Sequence, residues 1–224
     1  MSFYGRFRTR GVTLEEQFEQ QIEYLKGTTT VGLVCKDGVV LGTDSRATAG
    51  YEVASKEAKK LYQITDRIGV TVAGSVGDTQ ALVRNIRGEA RYYHRSRETP
   101  IRVGAAAKLT SNLFRSSGLF PYLAILIMGG VDSTGPSMYI LSLDGSRIEE
   151  KMVSTGSGSQ VAYGLLEAEY EEGLEVEEGL SLTANALKSA IERDIATGNE
   201  INLAKITEEG FERIDPDKVI EYID

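Results

Sequence analysis

The order of the apolar segments is the feature that most constrains the fold of this chain. Segments typical of β-strands come first, followed by two amphipathic helices, further strands, a second pair of helices and closing strands. Groups of strands separated by pairs of helices favour layered α+β packing over alternating βαβ units. Two sheets packed face to face, each covered by one helix pair, would bury every apolar stripe. We therefore expect an α+β fold with two inner sheets and helices on both outer faces.

The first half of the chain is predicted to supply two strand pairs and two helices. Asp37-Gly38 is a strong hairpin signal between two apolar runs. The segment 74–78 is a glycine-punctuated turn from a strand into a helix, and Asp78 favours the helix start. The predicted strands cover residues 28–35, 39–43, 59–64 and 68–73, with a turn at Gly50-Tyr51. The first helix is expected to bury Leu82, Ile86, Ala90 and Tyr93, and the second, opened by Pro100 and ending near Gly118, to bury Ile101, Ala105, Leu109 and Leu113.

The second half repeats this arrangement of strands followed by helices. Asp144-Gly145 is a second hairpin signal. The predicted strands cover 122–128, 138–143, 147–153, 201–206 and 211–214, and a short helical tail covers 216–222. A helix starting at 157–159 is expected to carry Ala162, Leu165, Leu166 and Ala168, and a helix over 176–196 to carry Leu180, Leu187, Ile191 and Ile195.

Composition excludes several functional classes. The 224 residues carry 25 Lys+Arg against 33 Asp+Glu, a net charge of −8, which argues against binding to nucleic acid or to anionic membranes. The single cysteine, Cys35, allows no internal disulfide and fits a reducing compartment. It lies in an apolar run, so an inert buried thiol is the favoured interpretation. No apolar run reaches the length of a membrane span, and residues 1–10 do not form a secretory signal.

The first 27 residues differ in character from the rest of the chain. A basic start is followed by a capping-box signal at 13–16 and by apolar residues at helical spacing, Phe18, Ile22 and Leu25. Two interpretations remain open from the residues alone. The segment is either a removable pro-segment or an ordinary N-terminal helix of the domain.

Three consecutive threonines follow Gly27. A threonine hydroxyl inside a chain is a poor nucleophile, but cleavage of the preceding peptide bond gives the residue its own base, the free α-amine. Gly27 leaves an unhindered carbonyl for such a cleavage. The alternative is an ordinary β-strand, since threonine is a good strand former. Chemistry alone does not choose Thr28 over Thr29 as the nucleophile.

Acyl transfer also needs a base, a charged partner and donors for the oxyanion. Asp44 ends the second predicted strand and is expected beside Thr28, because a hairpin brings such ends together. Lys60 begins the next strand, and its charge would lower the pKa of a nearby hydroxyl. The Gly74 turn offers a backbone N–H at the start of a helix, which suits an oxyanion. Each of these residues alone is more often a surface or turn residue.

Six motifs stand in order along the chain. They are Thr28-Thr29-Thr30-Val31-Gly32, Thr43-Asp44-Ser45-Arg46, Lys59-Lys60-Leu61, the segment 72–78, the segment 154–159 and Arg193-Asp194. With these motifs the chain resembles the catalytic β-type subunits of the 20S proteasome, of the archaeal kind. The resemblance covers essentially the whole chain from Thr28 onwards.

The resemblance implies a four-layer α-β-β-α sandwich, the N-terminal nucleophile hydrolase fold, and a threonine endopeptidase. It implies self-removal of residues 1–27 as a propeptide by cleavage between Gly27 and Thr28, leaving 28–224 as the catalytic domain. The implied catalytic residues are Thr28 as nucleophile, Asp44 and Lys60 as the charged pair, Gly74 as oxyanion donor, and Ser157, Asp194 and Thr197 as the residues that hold the Thr28 amine. Thr197 stands where the family usually has serine.

By the same matching, Ala47, Ala58, Tyr62, Val72, Val76 and Gln80 would line the pocket for the residue before the cut bond. This pocket lacks charge, which predicts a chymotrypsin-like preference for large apolar residues. The resemblance also implies a cytoplasmic barrel of seven-membered rings, with a homo-heptameric β ring stacked on a second one, flanking α rings, a regulatory ATPase and unfolded protein substrates. No cofactor is expected. The alternatives are an inactive ring subunit of the same fold and a small-molecule amidase with the same nucleophile.

Overall fold

A computed structural model describes residues 27–49, 52–117 and 121–223 of the chain. In chain order its strands are β1 (Thr29–Val34), β2 (Gly38–Asp44), β3 (Ala47–Ala49), β4 (Glu52–Ser55), β5 (Leu61–Thr65), β6 (Ile68–Gly74), β7 (Ala124–Asp132), β8 (Gly135–Leu141), β9 (Arg147–Glu149), β10 (Met152–Gly156), β11 (Ile201–Thr207) and β12 (Gly210–Arg213). Its α-helices are α1 (Val76–Arg97), α2 (Val103–Ser116), α3 (Ser159–Glu169) and α4 (Val176–Arg193), and a 3-10 helix covers Pro216–Tyr222.

Ten of the strands form two antiparallel five-stranded sheets. The first sheet has the order β10-β1-β2-β11-β12 and the second the order β5-β6-β7-β8-β9, while β3 and β4 form a separate small hairpin. Within the first sheet β1 pairs with β2 and with β10, so β1 is an inner strand. The chain therefore crosses from the first sheet to the second after β4 and returns after β9.

The apolar side chains fill three layers between these elements. Helices α1 and α2 cover the second sheet through a cluster that includes Leu82, Ile86 and Phe114. Helices α3 and α4 cover the first sheet through a cluster that includes Leu166, Leu180 and Leu187. The two sheets meet across Leu41, Leu61, Ile127, Met138 and Ile206. The layer order is α-β-β-α, and the predicted fold class is confirmed.

Side chains of β1 alternate between the two interfaces. Val31 and Leu33 join the cluster beneath α3 and α4, whereas Val34 joins the cluster between the sheets. Gly32 also faces the second sheet, since a Cβ at this position would collide with Met138 and Ile127. This period of two is what a strand buried on both faces requires.

Several sequence predictions about the elements were wrong in detail. The single strand predicted over 147–153 is two strands in different sheets, because β9 pairs with β8 whereas β10 pairs with β1. The second helix begins at Val103 rather than at Pro100, since the Val103 N–H is bound by the Asp132 carboxylate at 2.8 Å. Its buried face contains Ala106, Ala107 and Phe114, and Ala105 is exposed.

Two further differences concern the ends of elements. Helix α4 ends at Arg193, three residues before the predicted end, so Ile195 lies beyond the helix and is 82% exposed. The short strands β3 and β4 were not predicted. The predicted N-terminal helix and the Gly50-Tyr51 turn lie outside the described residues. Within the described parts of the chain, none of the helices has the length and apolar character that crossing a membrane requires.

Candidate active site

Thr28 lies immediately before β1 and is almost completely buried, with 5% of its surface exposed. Its hydroxyl donates a hydrogen bond to the carbonyl oxygen of Gly27 at 2.6 Å. Its own carbonyl oxygen accepts the backbone N–H of Ser157 at 2.9 Å, beyond the end of β10. Thr28 is thus fixed against the neighbouring strand, with its hydroxyl on the peptide bond that precedes it.

Asp44 is the last residue of β2 and is fully buried. One carboxylate oxygen accepts the Thr29 N–H at 3.0 Å and the Lys60 ammonium at 2.8 Å. The other accepts the backbone N–H groups of Arg46 at 3.1 Å and Gly198 at 3.0 Å. The hairpin register, which pairs Thr30 with Thr43, brings this carboxylate beside the start of β1. The carboxylate is therefore held from both sides and directed at Lys60.

Lys60 directly precedes β5 and is 6% exposed. Besides its ion pair with Asp44, its Nζ donates to the carbonyl oxygen of Gly27 at 3.4 Å. Burial lowers the pKa of the Lys60 ammonium, because desolvation outweighs the opposing pull of the Asp44 carboxylate, and Arg46 lowers it further. A lysine in this environment exchanges its proton more easily than a surface lysine does.

Gly74 ends β6 and precedes Ser75, which caps α1 by accepting the Asp78 N–H at 3.5 Å. Its φ of +134° is a backbone conformation that favours glycine. The Val72 N–H donates to the Lys60 carbonyl at 2.9 Å, so the end of β6 runs alongside Lys60. The predicted oxyanion donor therefore belongs to a strand that borders the site.

Asp194 follows the end of α4 and accepts two hydroxyl groups on one carboxylate oxygen. Ser157 Oγ and Thr197 Oγ1 both lie 2.5 Å from Asp194 Oδ2. Ser157 Oγ also lies 3.5 Å from the Thr28 carbonyl oxygen, which links this group to Thr28. The three residues predicted to hold the Thr28 amine thus form one hydrogen-bonded cluster, which approaches Thr28 at its carbonyl oxygen, and the threonine at 197 supplies a hydroxyl.

The six residues predicted to line the substrate pocket differ in exposure. Tyr62 and Val72 are buried in the apolar cluster beneath α1 and α2. Val76 and Gln80 are exposed on the first turns of α1, and Ala47 and Ala58 are half-buried. The Ala58 N–H donates to the Ser45 carbonyl at 2.8 Å, which places Ala58 near the end of β2.

Sequence reasoning gave no role to two residues that contact the predicted site. The Thr29 hydroxyl lies 2.6 Å from Thr197 Oγ1. The Arg46 guanidinium donates to the carbonyl of Ile195 at 2.8 Å and to the side chain of Asn199 at 3.1 Å, holding the segment that contains Asp194. Both stand next to predicted residues in the sequence, but only the packing of the 194–199 segment on β1 and β2 shows what they contact.

Among the described residues, no group of three or more histidine, cysteine or acidic side chains is arranged to hold a metal ion. The predicted catalytic groups are instead a hydroxyl, a carboxylate, an ammonium and backbone donors. This set of groups is the kind that acyl transfer by a hydroxyl nucleophile uses.

Comparison with known proteins identifies the family. The family model described as "Proteasome subunit" matches residues 24–206. A proteasome subunit beta of Methanohalophilus mahii is 50% identical over 205 residues, covering 90% of this chain and 98% of that protein. The corresponding protein of Archaeoglobus fulgidus is 52% identical over 195 residues, covering 87% of this chain and 92% of that protein. The chain therefore belongs to the proteasome subunit family, as one of the beta subunits, which carry the threonine endopeptidase activity of the 20S core particle.

Proposed function

We propose that Thr28 is the nucleophile of this endopeptidase and that it is freed by cleavage of the Gly27–Thr28 bond. One observation carries the proposal. The Thr28 hydroxyl and the Lys60 ammonium both donate to the same carbonyl oxygen, that of Gly27, while Asp44 holds Lys60 from the other side. The hydroxyl and the ammonium thus both contact the bond to be cut, and the carboxylate holds the ammonium in place.

Self-cleavage begins with attack of Thr28 Oγ1 on the carbonyl carbon of Gly27. The hydroxyl loses its proton, the carbonyl oxygen becomes an oxyanion, and collapse of this intermediate expels the Thr28 nitrogen, which takes up a proton. The product is an ester between Gly27 and Thr28. Water hydrolyses the ester and releases residues 1–27 with a carboxylate at Gly27. Lys60 is placed to stabilise the oxyanion, and its lowered pKa also favours proton exchange with the hydroxyl.

Peptide hydrolysis by the processed chain uses the same groups with one addition. The freed α-amine of Thr28 becomes available as a base, with an ordinary pKa of about 7.7–8.0. The cluster of Ser157, Asp194 and Thr197 lies next to Thr28 and supplies acceptors for this amine. We assign the Gly74 N–H as the hydrogen-bond donor that stabilises the oxyanion formed on the substrate. Attack on a peptide carbonyl gives an acyl-enzyme ester at Thr28, which water then hydrolyses.

We assign the pocket for the residue before the cut bond to Ala47, Ala58, Tyr62, Val72, Val76 and Gln80. None of these side chains carries a charge, and the two alanines leave space near the end of β2. An uncharged and roomy pocket favours large apolar residues. The substrates are accordingly unfolded proteins cut after such residues, a chymotrypsin-like preference.

A beta subunit belongs to a 20S core that also contains alpha rings. Beyond that, we propose a homo-heptameric β ring stacked on a second β ring, enclosed by α rings that receive substrate from a regulatory ATPase in the cytoplasm. Enclosure makes physical sense for a broad endopeptidase, since folded proteins open locally and would otherwise be cut. Native mass spectrometry of the assembled particle, with the β subunit as the only β chain supplied, tests the ring composition.

Two other functions make different predictions. An inactive ring subunit would hydrolyse no peptides, although this chain carries Thr28, Asp44 and Lys60. A small-molecule amidase would prefer simple amides to peptides. Assaying the processed particle on fluorogenic peptides and on simple amides separates all three.

The intact mass of the assembled subunit is the direct test of the proposal. We expect the wild-type chain to begin at Thr28, and Thr28→Ala to retain residues 1–27 and to hydrolyse no peptide. Thr28→Ser is the matched control, because it keeps a hydroxyl at the same position and should still be processed. A Thr28→Ala particle that is processed or active would overturn the assignment.

A further inference from the structure

We propose that Thr29 is a positioning residue, whose buried hydroxyl orders the Thr197–Asp194–Ser157 cluster beside the nucleophile. The inference rests on the proposed function, in which Thr28 performs the chemistry and this cluster holds its amine. It adds a residue to which the sequence motifs gave no role beyond strand formation.

Thr29 is the first residue of β1 and is fully buried. Its side chain points towards the helix layer formed by α3 and α4, as those of Val31 and Leu33 do. A Cβ placed on Gly158 would collide with Thr29 Oγ1, so the hydroxyl is closely packed from that side. Thr29 Oγ1 lies 2.6 Å from Thr197 Oγ1. The hydroxyl therefore has a fixed partner.

Counting protons gives this hydrogen bond a direction. The Thr197 hydroxyl donates its single proton to Asp194 Oδ2, 2.5 Å away. Thr197 Oγ1 then has no proton left for Thr29, and Thr29 must be the donor in the bond between them. The chain of donation runs from Thr29 to Thr197 to Asp194. A hydroxyl that accepts one hydrogen bond donates a stronger one.

The backbone of Thr29 binds Asp44, the second carboxylate of the site. Its N–H donates to Asp44 Oδ1 at 3.0 Å, on the oxygen that also binds Lys60. Thr29 therefore contacts the Asp44 group through its backbone and the Asp194 group through its side chain. The Thr28 hydroxyl contacts the Gly27 carbonyl oxygen at 2.6 Å, whereas the Thr29 hydroxyl contacts Thr197. These contacts favour Thr28 over Thr29 as the nucleophile, in agreement with the family resemblance.

The next threonine provides a matched control on the same strand. Thr30 is also fully buried, and its hydroxyl lies 2.7 Å from that of Thr155 on β10. Replacing Thr29 or Thr30 by valine removes one buried hydroxyl from one hydroxyl pair in each case, with the same change of shape. Only the Thr29 pair leads to Asp194.

The experiment compares Thr29→Val, Thr29→Ser and Thr30→Val in the assembled 20S particle, with active sites counted by a covalent threonine-directed inhibitor. For Thr29→Val we expect kcat on a fluorogenic peptide to fall about fivefold to tenfold per counted site, which corresponds to the loss of one hydrogen bond. KM should stay within about twofold, because Thr29 does not contact substrate. Thr29→Ser restores the hydroxyl and should restore kcat, and Thr30→Val should match the wild type.

A second pair of variants tests the route of the effect and does not depend on Thr29→Val alone. Thr197→Val breaks the same hydrogen bond from the other side and should also lower kcat. Because Thr29 acts through Thr197, adding Thr29→Val to Thr197→Val should cause little further loss. Fully additive losses, or wild-type kcat in Thr197→Val, would overturn the proposal.

The remaining outcomes separate this inference from the proposed function. Equal kcat values for Thr29→Val and Thr30→Val, or a Thr29→Ser variant as slow as Thr29→Val, would refute the positioning role and leave Thr28 as nucleophile untouched. A Thr28→Ala particle that hydrolyses peptides would refute the proposed function instead.

Discussion

Replacing Asp44 by asparagine tests how much the buried hydrogen bonds and the ion pair of this carboxylate stabilise the site. The carboxylate is fully buried and accepts four hydrogen bonds from described residues, two on each oxygen. An asparagine side chain has one oxygen and one NH2 group, so one pair of donors would face another donor whichever way the amide is turned. The change also leaves the Lys60 ammonium buried without its counter-ion.

The magnitude follows from these losses. Removing one partner of a buried ion pair typically costs about 3–5 kcal/mol, since the other charge stays uncompensated. For a chain of this size that corresponds to a fall in Tm of roughly 6–20 °C. The comparison belongs in a Thr28→Ala background, in which we expect every variant to retain residues 1–27, so that processing differences do not contribute. Differential scanning calorimetry of the assembled particle gives the Tm.

The pH dependence of the loss has a definite sign. Asp44 is the group that raises the pKa of Lys60 against desolvation, so its removal lowers the folded-state pKa further below the unfolded value of about 10.4. Between these two pKa values the unfolded chain binds more protons, and stability rises with pH. We therefore expect the deficit of Asp44→Asn to be larger at pH 7 than at pH 9.

Lys60→Met is the control, because it removes the titrating group and keeps an unbranched side chain of similar length. Its deficit should vary little between pH 7 and pH 9, and the double variant should be less destabilised than the sum of the two single ones. An Asp44→Asn particle within about 2 °C of its parent, or a deficit that grows with pH, would refute the reasoning.

The remaining predictions concern processing, specificity and the thiol. Gly27→Ala should accumulate unprocessed chain by intact mass, because Gly27 has φ of +151° and an added Cβ would collide with the Thr48 hydroxyl; processing at the wild-type rate would contradict this. Ala58→Phe should lower kcat/KM severalfold for fluorogenic peptides with large apolar residues before the cut bond and affect small ones less; unchanged rates would remove the pocket assignment. Burial raises the pKa of Cys35 to about 12, so iodoacetamide at pH 8 should label it only after unfolding, as read by mass spectrometry.

The layered fold could be predicted from the sequence because the apolar patterns and the Asp-Gly turns are local signals. The failures occurred where a distant residue decides the outcome. Helix α2 begins at Val103 because Asp132, 29 positions away, binds its N–H. The run over 147–153 is divided because its two halves pair with strands of different sheets. Neither partner is visible in the local pattern.

The predicted site shows the same limit. Family motifs pointed to Thr28, Asp44 and Lys60, and the structure brings their polar groups together around the Gly27 carbonyl and the start of β1. The role proposed for Thr29 had no such signal, since three adjacent threonines look equivalent in the sequence. Only the direction of the side chain on β1 and the position of Thr197 distinguish the second threonine from the others.

The place of β1 inside its sheet has a consequence for a chain that is cut before Thr28. Freshly created chain ends usually fray, because few contacts restrain them. Here β1 would follow the new terminus directly, and β1 is paired with a neighbouring strand along each edge. Thr29 pairs with Gly156, and Thr30 pairs with Thr43. The new α-amine would therefore precede a strand that is hydrogen-bonded on both sides. The cut would expose the amine and leave the pairing of the sheet unchanged.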